Sequence, residues 1–397
     1  MQAGLTSEAL PRAQSQLVYR HELIRMPVRA IFLLTSLALL AGCGGDEPVE
    51  VSAPASESAN QVSTPAATPA EADAPLKNTS EVLVASSVQD MIALLEGEDW
   101  WGEPKTDEPL AVPHLLITAI KPNWQEASKN IPVQQKKALF YRLMLPLVTH
   151  ANHMVMEFRA GLEQAQQELA SDGRVSEQSL VLLRRLALLL PGETEEHVAA
   201  LQQNTPELKG MIDGLLYRVD TVPAGLALGQ AAYESGYGTS RFAVQGNSLF
   251  GQWTYQGDGI KAKEHRSYKG DYSIKAFDWP FDSVRGYFIN LMSHPAYEEF
   301  RQLRADMRAR GEPLSSLALA DGLLRYSERG QEYVDSLKSM IRHNTLDRAD
   351  GAALRDEPVR FLLGAESPKA ASDLRAEIEV MRANGKLHEL IDSMRLD

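Results

Sequence analysis

The most regular apolar spacing in the chain lies before its midpoint. Ala138, Leu139, Phe140, Leu143, Met144, Leu147 and Val148 recur at three- and four-residue intervals after Pro132, a residue suited to a helical first turn. Ser176 is placed to cap a second helix through Leu183, Leu186 and Leu190, which Pro191-Gly192 ends, and a third starts near Thr194. The stretch from about Val82 to Tyr217 therefore reads as a helical scaffold. Pro223 to about Glu234 predicts a short helix whose Ala, Gly and Leu suit close packing. A loop with Gly236, Gly238, Gly246 and Gly251 follows it. Extended stretches around Ile260–His265 and Tyr272–Phe277, with Lys269-Gly270-Asp271 between them, predict a β-hairpin. Helices resume at Pro280–Met292 and continue to about His343. The tail carries one more amphipathic helix near Ala371–Arg382 and a shorter one after Gly385. There is no internal repeat.

The first eighty residues obey a different pattern. Arg25 and Arg29 precede an apolar run from Ala30 to Ala41, which ends in Leu40-Ala41-Gly42-Cys43. A charged flank, a short apolar stretch and small residues before a cut site describe a secretory signal. The run is short of the roughly 20 residues of a membrane span. Leu-Ala-Gly-Cys resembles the bacterial lipobox, which implies that Cys43 is acylated as the first mature residue, with Met26 a candidate start. By resemblance to sorted lipoproteins, Gly44 after the cysteine implies the periplasmic face of the outer membrane. From Gly44 to about Ser80 the chain is Pro, Ala, Ser, Thr and Glu, too poor in large apolar residues to order itself, and reads as a tether. The expected organisation is a lipoprotein signal at 1–43, a disordered tether at 44–81 and a helical region at 82–217. A catalytic domain at 218–346 and a helical tail at 347–397 complete it.

Composition narrows the function. An apolar content of 44% and a charged content of 23% are those of a globular protein. The net charge of −13, without a basic block, disfavours nucleic acid as a partner. Cys43 is the sole cysteine, so no intramolecular disulfide is expected. His150, His153 and Glu157 share one helix face at metal-ligand spacing, but no further His/Cys cluster completes a site, and neither metal nor cofactor is expected. There is no G-x-S-x-G, P-loop or Rossmann glycine pattern.

What remains is carboxylates and aromatics around a glycine-rich loop, the equipment of sugar chemistry. Glycosidic cleavage needs a protonated acid at the leaving oxygen and stabilisation of an oxocarbenium-like centre. Glu234 ends an otherwise apolar helix, where desolvation and the negative end of the helix dipole both favour the neutral carboxyl. Gly236 and Gly238 permit a left-handed exit that leaves the side chain at an edge. A capping or salt-bridging glutamate, with Arg241 as partner, is the alternative reading of the same residues.

The run Gln230-Ala231-Ala232-Tyr233-Glu234-Ser235-Gly236-Tyr237-Gly238-Thr239-Ser240-Arg241-Phe242-Ala243, followed by Gly246-Asn247-Ser248-Leu249-Phe250-Gly251, resembles the catalytic segment of bacterial N-acetylglucosaminidases, glycoside hydrolase family 73. Ala276-Phe277 with Asp282-Ser283-Val284, and Tyr326-Ser327-Glu328 with Tyr333, resemble later elements of that family. Leu145-Pro146-Leu147, Asn152 and His294-Pro295-Ala296-Tyr297 look like its Bax-type subgroup. The resemblance covers roughly Asp220 to Asn344. It implies a mainly α (α+β), lysozyme-like fold with a helical lobe and a β-hairpin lobe, and an autolysin-type enzyme cutting peptidoglycan glycan strands after GlcNAc. Glu234 falls on the catalytic acid and Tyr326 on the active-site tyrosine. Glu264 falls on a second carboxylate whose motif lacks its threonine here, so a surface glutamate is the alternative. Asp271 and Asp278 are fallback carboxylates. Ser235, Tyr237, Asn247, Phe250, Trp253 and Tyr333 fall on the substrate side, while Tyr255 and Trp279 are further candidates for stacking on sugars; a core role is the alternative for Trp253, Tyr255 and Trp279 alike. A muramidase or lytic transglycosylase, and a non-catalytic wall-binding scaffold, are the competing readings. Leu249-Phe250-Gly251-Gln252 in place of the transglycosylase G-L-x-Q pattern, and a costly carboxyl in an apolar setting, count against them.

Overall fold

The computed structural model describes residues 82–102, 110–121, 123–190, 206–255, 259–261 and 272–387. The signal, Cys43, the tether, Glu264, Asp271 and the predicted last helix lie outside the described residues. In chain order the elements begin with β1 (Val82–Ala85), α1 (Val88–Gly97), β2 (Ala111–Val112), β3 (Leu115–Ile117) and α2 (Trp124–Ala127). Then follow α3 (Val133–Asp172), α4 (Glu177–Leu189), α5 (Pro206–Arg218), α6 (Ala224–Ser235) and α7 (Arg241–Gly246). The sheet lobe holds β4 (Trp253–Thr254), β5 (Gly259–Ile260) and β6 (Ser273–Lys275). The chain continues with α8 (Pro280–Ser293), a 3-10 turn (Pro295–Tyr297), α9 (Glu298–Ala309), α10 (Ser316–Leu319) and α11 (Gln331–His343). It closes with β7 (Ala353–Leu354), β8 (Arg360–Gly364) and α12 (Pro368–Ala383). Helices dominate and the sheets are small, which is the mainly helical α+β, lysozyme-like class expected.

Local chemistry sets the helix ends as the sequence suggests. Pro132 precedes α3, and the Ser176 side chain accepts from Ser179 N to cap α4. The 40-residue α3 contains Pro146, which has no N–H for the carbonyl of Arg142 one turn earlier. The indole of Trp100 fills that gap, donating Nε1–H to Arg142 O at 2.9 Å. The guanidinium of Arg142 in turn lies over the Trp100 ring, 4.6 Å from its centroid.

Strands appear where helix was expected. The stretch from Val82 opens with β1, and β3 follows before α3 begins. Both pair in parallel with β8 from the tail, giving a sheet of order β1-β8-β3 with Val82 opposite Phe361 and Leu116 opposite the same residue. The segment that leads from Asp347 to α12 thus carries strands. Short, largely buried apolar runs such as Val82-Leu83-Val84-Ala85 have no period of their own, and their partner lies at the far end of the chain. The hairpin expectation is met by β5 pairing antiparallel to β6, with β4 adding a third strand on the other side of β6.

The helix that matters most, α6, is seated by its neighbours. Asn152 on α3 grips Val222, two positions before α6, with both ends of its amide: Val222 N donates to Asn152 Oδ1 at 3.0 Å, and Asn152 Nδ2 donates to Val222 O at 2.8 Å. The Asp350 carboxylate accepts from Gly225 N at 3.1 Å and from Ser316 N at 2.7 Å, tying the starts of α6 and α10 together. A Cβ on Gly225 would lie 2.3 Å from the Leu346 carbonyl oxygen, so only glycine permits this approach. Upstream, Arg304 is buried and donates to the carbonyls of Asp220 (2.8 Å) and Arg218 (2.7 Å), closing the end of α5.

Candidate active site

Glu234 is the penultimate residue of α6, and the chain leaves the helix through left-handed backbone at Gly236 (φ 58°), Tyr237 (φ 60°) and Gly238 (φ 74°). A left-handed tyrosine is uncommon and costs of order 1 kcal/mol or more, so its surroundings must hold it. They do. Trp124 Nε1 donates to Tyr237 O at 3.0 Å, and the Tyr237 ring meets Phe140 edge-on at 5.7 Å and Tyr141 at 5.9 Å. Tyr237 thereby stitches the exit loop to α3.

Ser235 and Asn247 have structural employment too. The Ser235 hydroxyl donates to Ala231 O at 2.6 Å and accepts from Gly238 N at 2.8 Å, and the residue is buried. Asn247, itself left-handed, accepts from Ile120 N at 3.0 Å and donates to Phe277 O (3.1 Å) and Asp278 O (3.0 Å). Phe250 is buried and stacks on Tyr287 with centroids 4.1 Å apart. These three residues were expected on the substrate side, and the structure places their side chains in the frame that shapes the loop. Gln252 completes the frame, donating to Ser283 O at 2.8 Å and accepting from Ser283 Oγ at 3.1 Å.

That frame brings the backbone of Gly251 beside the acid. Gly251 has φ 63°, and a Cβ there would sit 3.5 Å from Glu234 Oε2. Across from it stand tyrosines. Tyr333 is buried, accepts from Gln230 Nε2 at 3.0 Å, and lies close enough to Glu234 for each group to shift the proton affinity of the other. Tyr326 is half-buried, stacks on Tyr333 at 5.5 Å with 6° between the planes, and donates its hydroxyl to Phe250 O at 2.8 Å. Tyr297 lies 5.8 Å from Tyr326, ring to ring. The structure thus brings Glu234, Tyr326 and Tyr333 together. It adds Tyr297, Gln230 and Tyr287, which the sequence reading did not assign to the site. Trp253 lies apart on β4, exposed, and stacks on Tyr272 at 4.6 Å.

Electrostatics follow from this geometry. Burial raises the Glu234 carboxyl above the usual carboxylate range, and the neighbouring Tyr333 hydroxyl pulls the other way. Burial pushes Tyr297 up to about 12 and Tyr326 and Tyr333 well above their ordinary value, each helped by the Glu234 charge. The alternative of a Glu234–Arg241 ion pair is not realised, since Arg241 donates to Lys261 O and lies against the Phe242 ring. His150 turns to His114 (His150 Nδ1 to His114 Nε2, 2.8 Å) while His153 faces Glu157 at 3.5 Å. Among the described residues no group of three or more His, Cys, Asp or Glu side chains could hold a metal.

Residues 216–346 match the glucosaminidase family described as mannosyl-glycoprotein endo-beta-N-acetylglucosaminidase. The chain is also 30% identical over 210 residues to Protein bax of Escherichia coli strain K12, an overlap of 53% of this chain and 70% of that one. No solved structure matches it significantly. By the matched family model and by its likeness to that relative, the chain belongs to the glucosaminidase family of glycoside hydrolases, family 73-like and Bax-type.

Proposed function

We propose that this protein is an endo-β-N-acetylglucosaminidase that hydrolyses peptidoglycan glycan strands after GlcNAc, with Glu234 as general acid. The glucosaminidase domain supports a peptidoglycan-type glycosidase. The observation that carries the finer reading is the Glu234 carboxyl: raised by burial, beside Gly251, and next to the neutral phenol of Tyr333. A carboxyl held protonated towards neutral pH can deliver its proton to the leaving glycosidic oxygen. The Tyr326 ring, half-buried beside Tyr333, offers its electron-rich face to a positively charged sugar centre. The exposed Trp253 suits stacking on a sugar further along the strand. In the proposed setting the chain is tethered through an acylated Cys43 at the periplasmic face of the outer membrane. Digestion of purified peptidoglycan, with the new ends identified by mass spectrometry, tests the reading. Reducing GlcNAc ends are expected. Reducing MurNAc or anhydro-MurNAc ends would replace it with a muramidase or transglycosylase.

A further inference from the structure

Ser283 is a fully buried serine in the first turn of α8. Hydroxyl residues in helices often turn back to the carbonyl four residues earlier, as Thr149, Ser235 and Ser293 do here at 2.8, 2.6 and 2.6 Å. Ser283 instead serves a distant segment. Its Oγ accepts from Leu249 N at 3.0 Å and donates to Gln252 Oε1 at 3.1 Å. Gln252 Nε2 donates in return to Ser283 O at 2.8 Å. One serine thereby holds both ends of the segment Leu249–Gln252. Gly286, further along α8, makes room for the amide, since a Cβ there would lie a tight 3.3 Å from Gln252 Nε2.

The direction of each bond in this knot is determined. A backbone N–H can only donate, so Ser283 Oγ accepts from Leu249, and its single proton goes to Gln252. A turned-over amide would set its carbonyl oxygen against Ser283 O and leave the buried hydroxyl proton without an acceptor, a costly outcome. Between the two held ends lie Phe250 and Gly251. Tyr326 donates to Phe250 O at 2.8 Å, and Lys275 N donates to Gln252 O at 2.8 Å. Gly251 is fixed at φ 63°, where a Cβ would stand 3.5 Å from Glu234 Oε2. The held backbone therefore lies within van der Waals reach of the carboxyl and occupies space that water would otherwise take.

We propose that Ser283 and Gln252 are positioning residues that hold the Phe250–Gly251 backbone as a wall against Glu234 and so keep that side of the carboxyl dry. They act through Gly251, and the role requires no bond from either side chain to substrate. The proposal rests on the reading of Glu234 as the acid. Burial is what raises the Glu234 carboxyl, and the wall supplies part of that burial. Among the described residues, the titratable groups that face Glu234 are the phenols of Tyr297, Tyr326 and Tyr333, whose protons are held above the ordinary phenol value. Beside Ser283 on α8, Asp282 and Arg285 pair with each other at 3.4 Å.

The test is the basic limb of the pH profile of kcat/KM on isolated sacculi, which reports the acid in the free enzyme. Ser283→Ala leaves Leu249 N–H and Gln252 Oε1 without their partner and removes no group from Glu234. With that hold gone the wall loosens and water reaches the carboxyl. The limb is then expected to move to lower pH, by about one unit for a tenfold change in the protonation equilibrium. Gln252→Met, which keeps the side-chain length but removes both amide bonds, should move it the same way and decides the matter should Ser283→Ala not fold. A variant that is merely less stable would lose activity and keep the limb in place. A folded Ser283→Ala enzyme whose limb is unmoved, or moves to higher pH, overturns the proposal. Loss of the fold in both variants overturns it too, since the knot would then serve folding and not the acid. Glu234→Gln, run alongside, separates the two ideas. If it is inactive while the limb stays fixed in Ser283→Ala, only the wall falls. If it retains activity, the acid assignment falls and takes the wall with it.

Discussion

Asn152 offers the sharpest test of how the acid-bearing helix is placed. Its amide satisfies both backbone groups of Val222, a fully buried residue two positions before α6. Asn152→Ala leaves a buried N–H and C=O unpaired. An orphaned group costs about 1–3 kcal/mol, and because Asn152 is half-buried, water can partly replace it, so a total of about 2 kcal/mol is expected. For a domain of this size that is a fall in Tm of about 4–8 °C. Asn152→Asp is more informative because it is isosteric. It keeps the acceptor for Val222 N–H but turns a carboxylate oxygen against Val222 O. The folded state then prefers the protonated form, so the variant's carboxyl is raised above its unfolded value of about 3.9. The sign of the linkage follows: stability is retained below the unfolded pKa and lost as pH rises through the folded one. Denaturant unfolding from about pH 4 to pH 7, read as the difference from the wild type at each pH, is the assay. The Asp variant should approach wild type at the acid end and be at least as unstable as Asn152→Ala at the neutral end. A difference that stays flat with pH, or an Ala variant within 0.5 kcal/mol of wild type (about the noise of a neutral surface change), would refute the clamp.

Three further outcomes are expected. Glu234→Gln should lose at least about 10²–10⁴-fold in turnover on peptidoglycan while remaining folded, and wild-type activity should fall as pH rises through the raised Glu234 pKa; near-normal activity in the folded variant would remove Glu234 from the mechanism. Trp100→Phe should cost about 1–3 kcal/mol by orphaning the Arg142 carbonyl, and distinctly less in a Pro146→Ala background, where residue 146 regains the N–H; equal costs in a double-mutant cycle would show that the indole is not compensating for the proline. Cys43→Ala should abolish partitioning into detergent while a chain starting near Val82 stays active on sacculi; lipoprotein-like partitioning of the Cys43→Ala protein would end the anchor proposal.

The elements that the sequence discloses are those specified by neighbours. The three- and four-residue spacing of α3, the Ser176 cap and the glycines after Glu234 are each written within a few positions of where they act. The parallel sheet is not, because nothing near Val82 names Phe361 as its partner. The site divides along the same line. Glu234 declares itself by standing at the end of an apolar helix, and Tyr326 and Tyr333 by resemblance. Gln230 carried a readable signal, since a lone polar residue in an apolar helix implies a buried partner, but which partner depends on how α8 and α11 pack. Ser235, Asn247 and Phe250 show the opposite difficulty. Their place in a catalytic motif suggests contact with substrate, whereas their side chains are occupied in holding backbone that the chemistry needs in one shape.

If Glu234 is the general acid proposed above, the phenols that surround it among the described residues follow from what such an acid must do. Burial and the end of α6 both push Glu234 towards the neutral form, and with nothing opposing them the proton would be held too tightly to be released. A lysine or arginine at hydrogen-bonding distance would correct this too far, fixing the carboxylate in its ionised state and leaving no proton to donate. A tyrosine hydroxyl opposes burial by a single hydrogen bond and brings no charge. Tyr297, Tyr326 and Tyr333 stay uncharged beside it, because their own protons are held above the ordinary phenol value. The nearest cation in the chain sequence, Arg241, is drawn away to the Lys261 carbonyl and the Phe242 ring. On the proposed reading, a substitution that places a positive charge among these tyrosines should hold Glu234 ionised and silence the enzyme even where the fold is untouched.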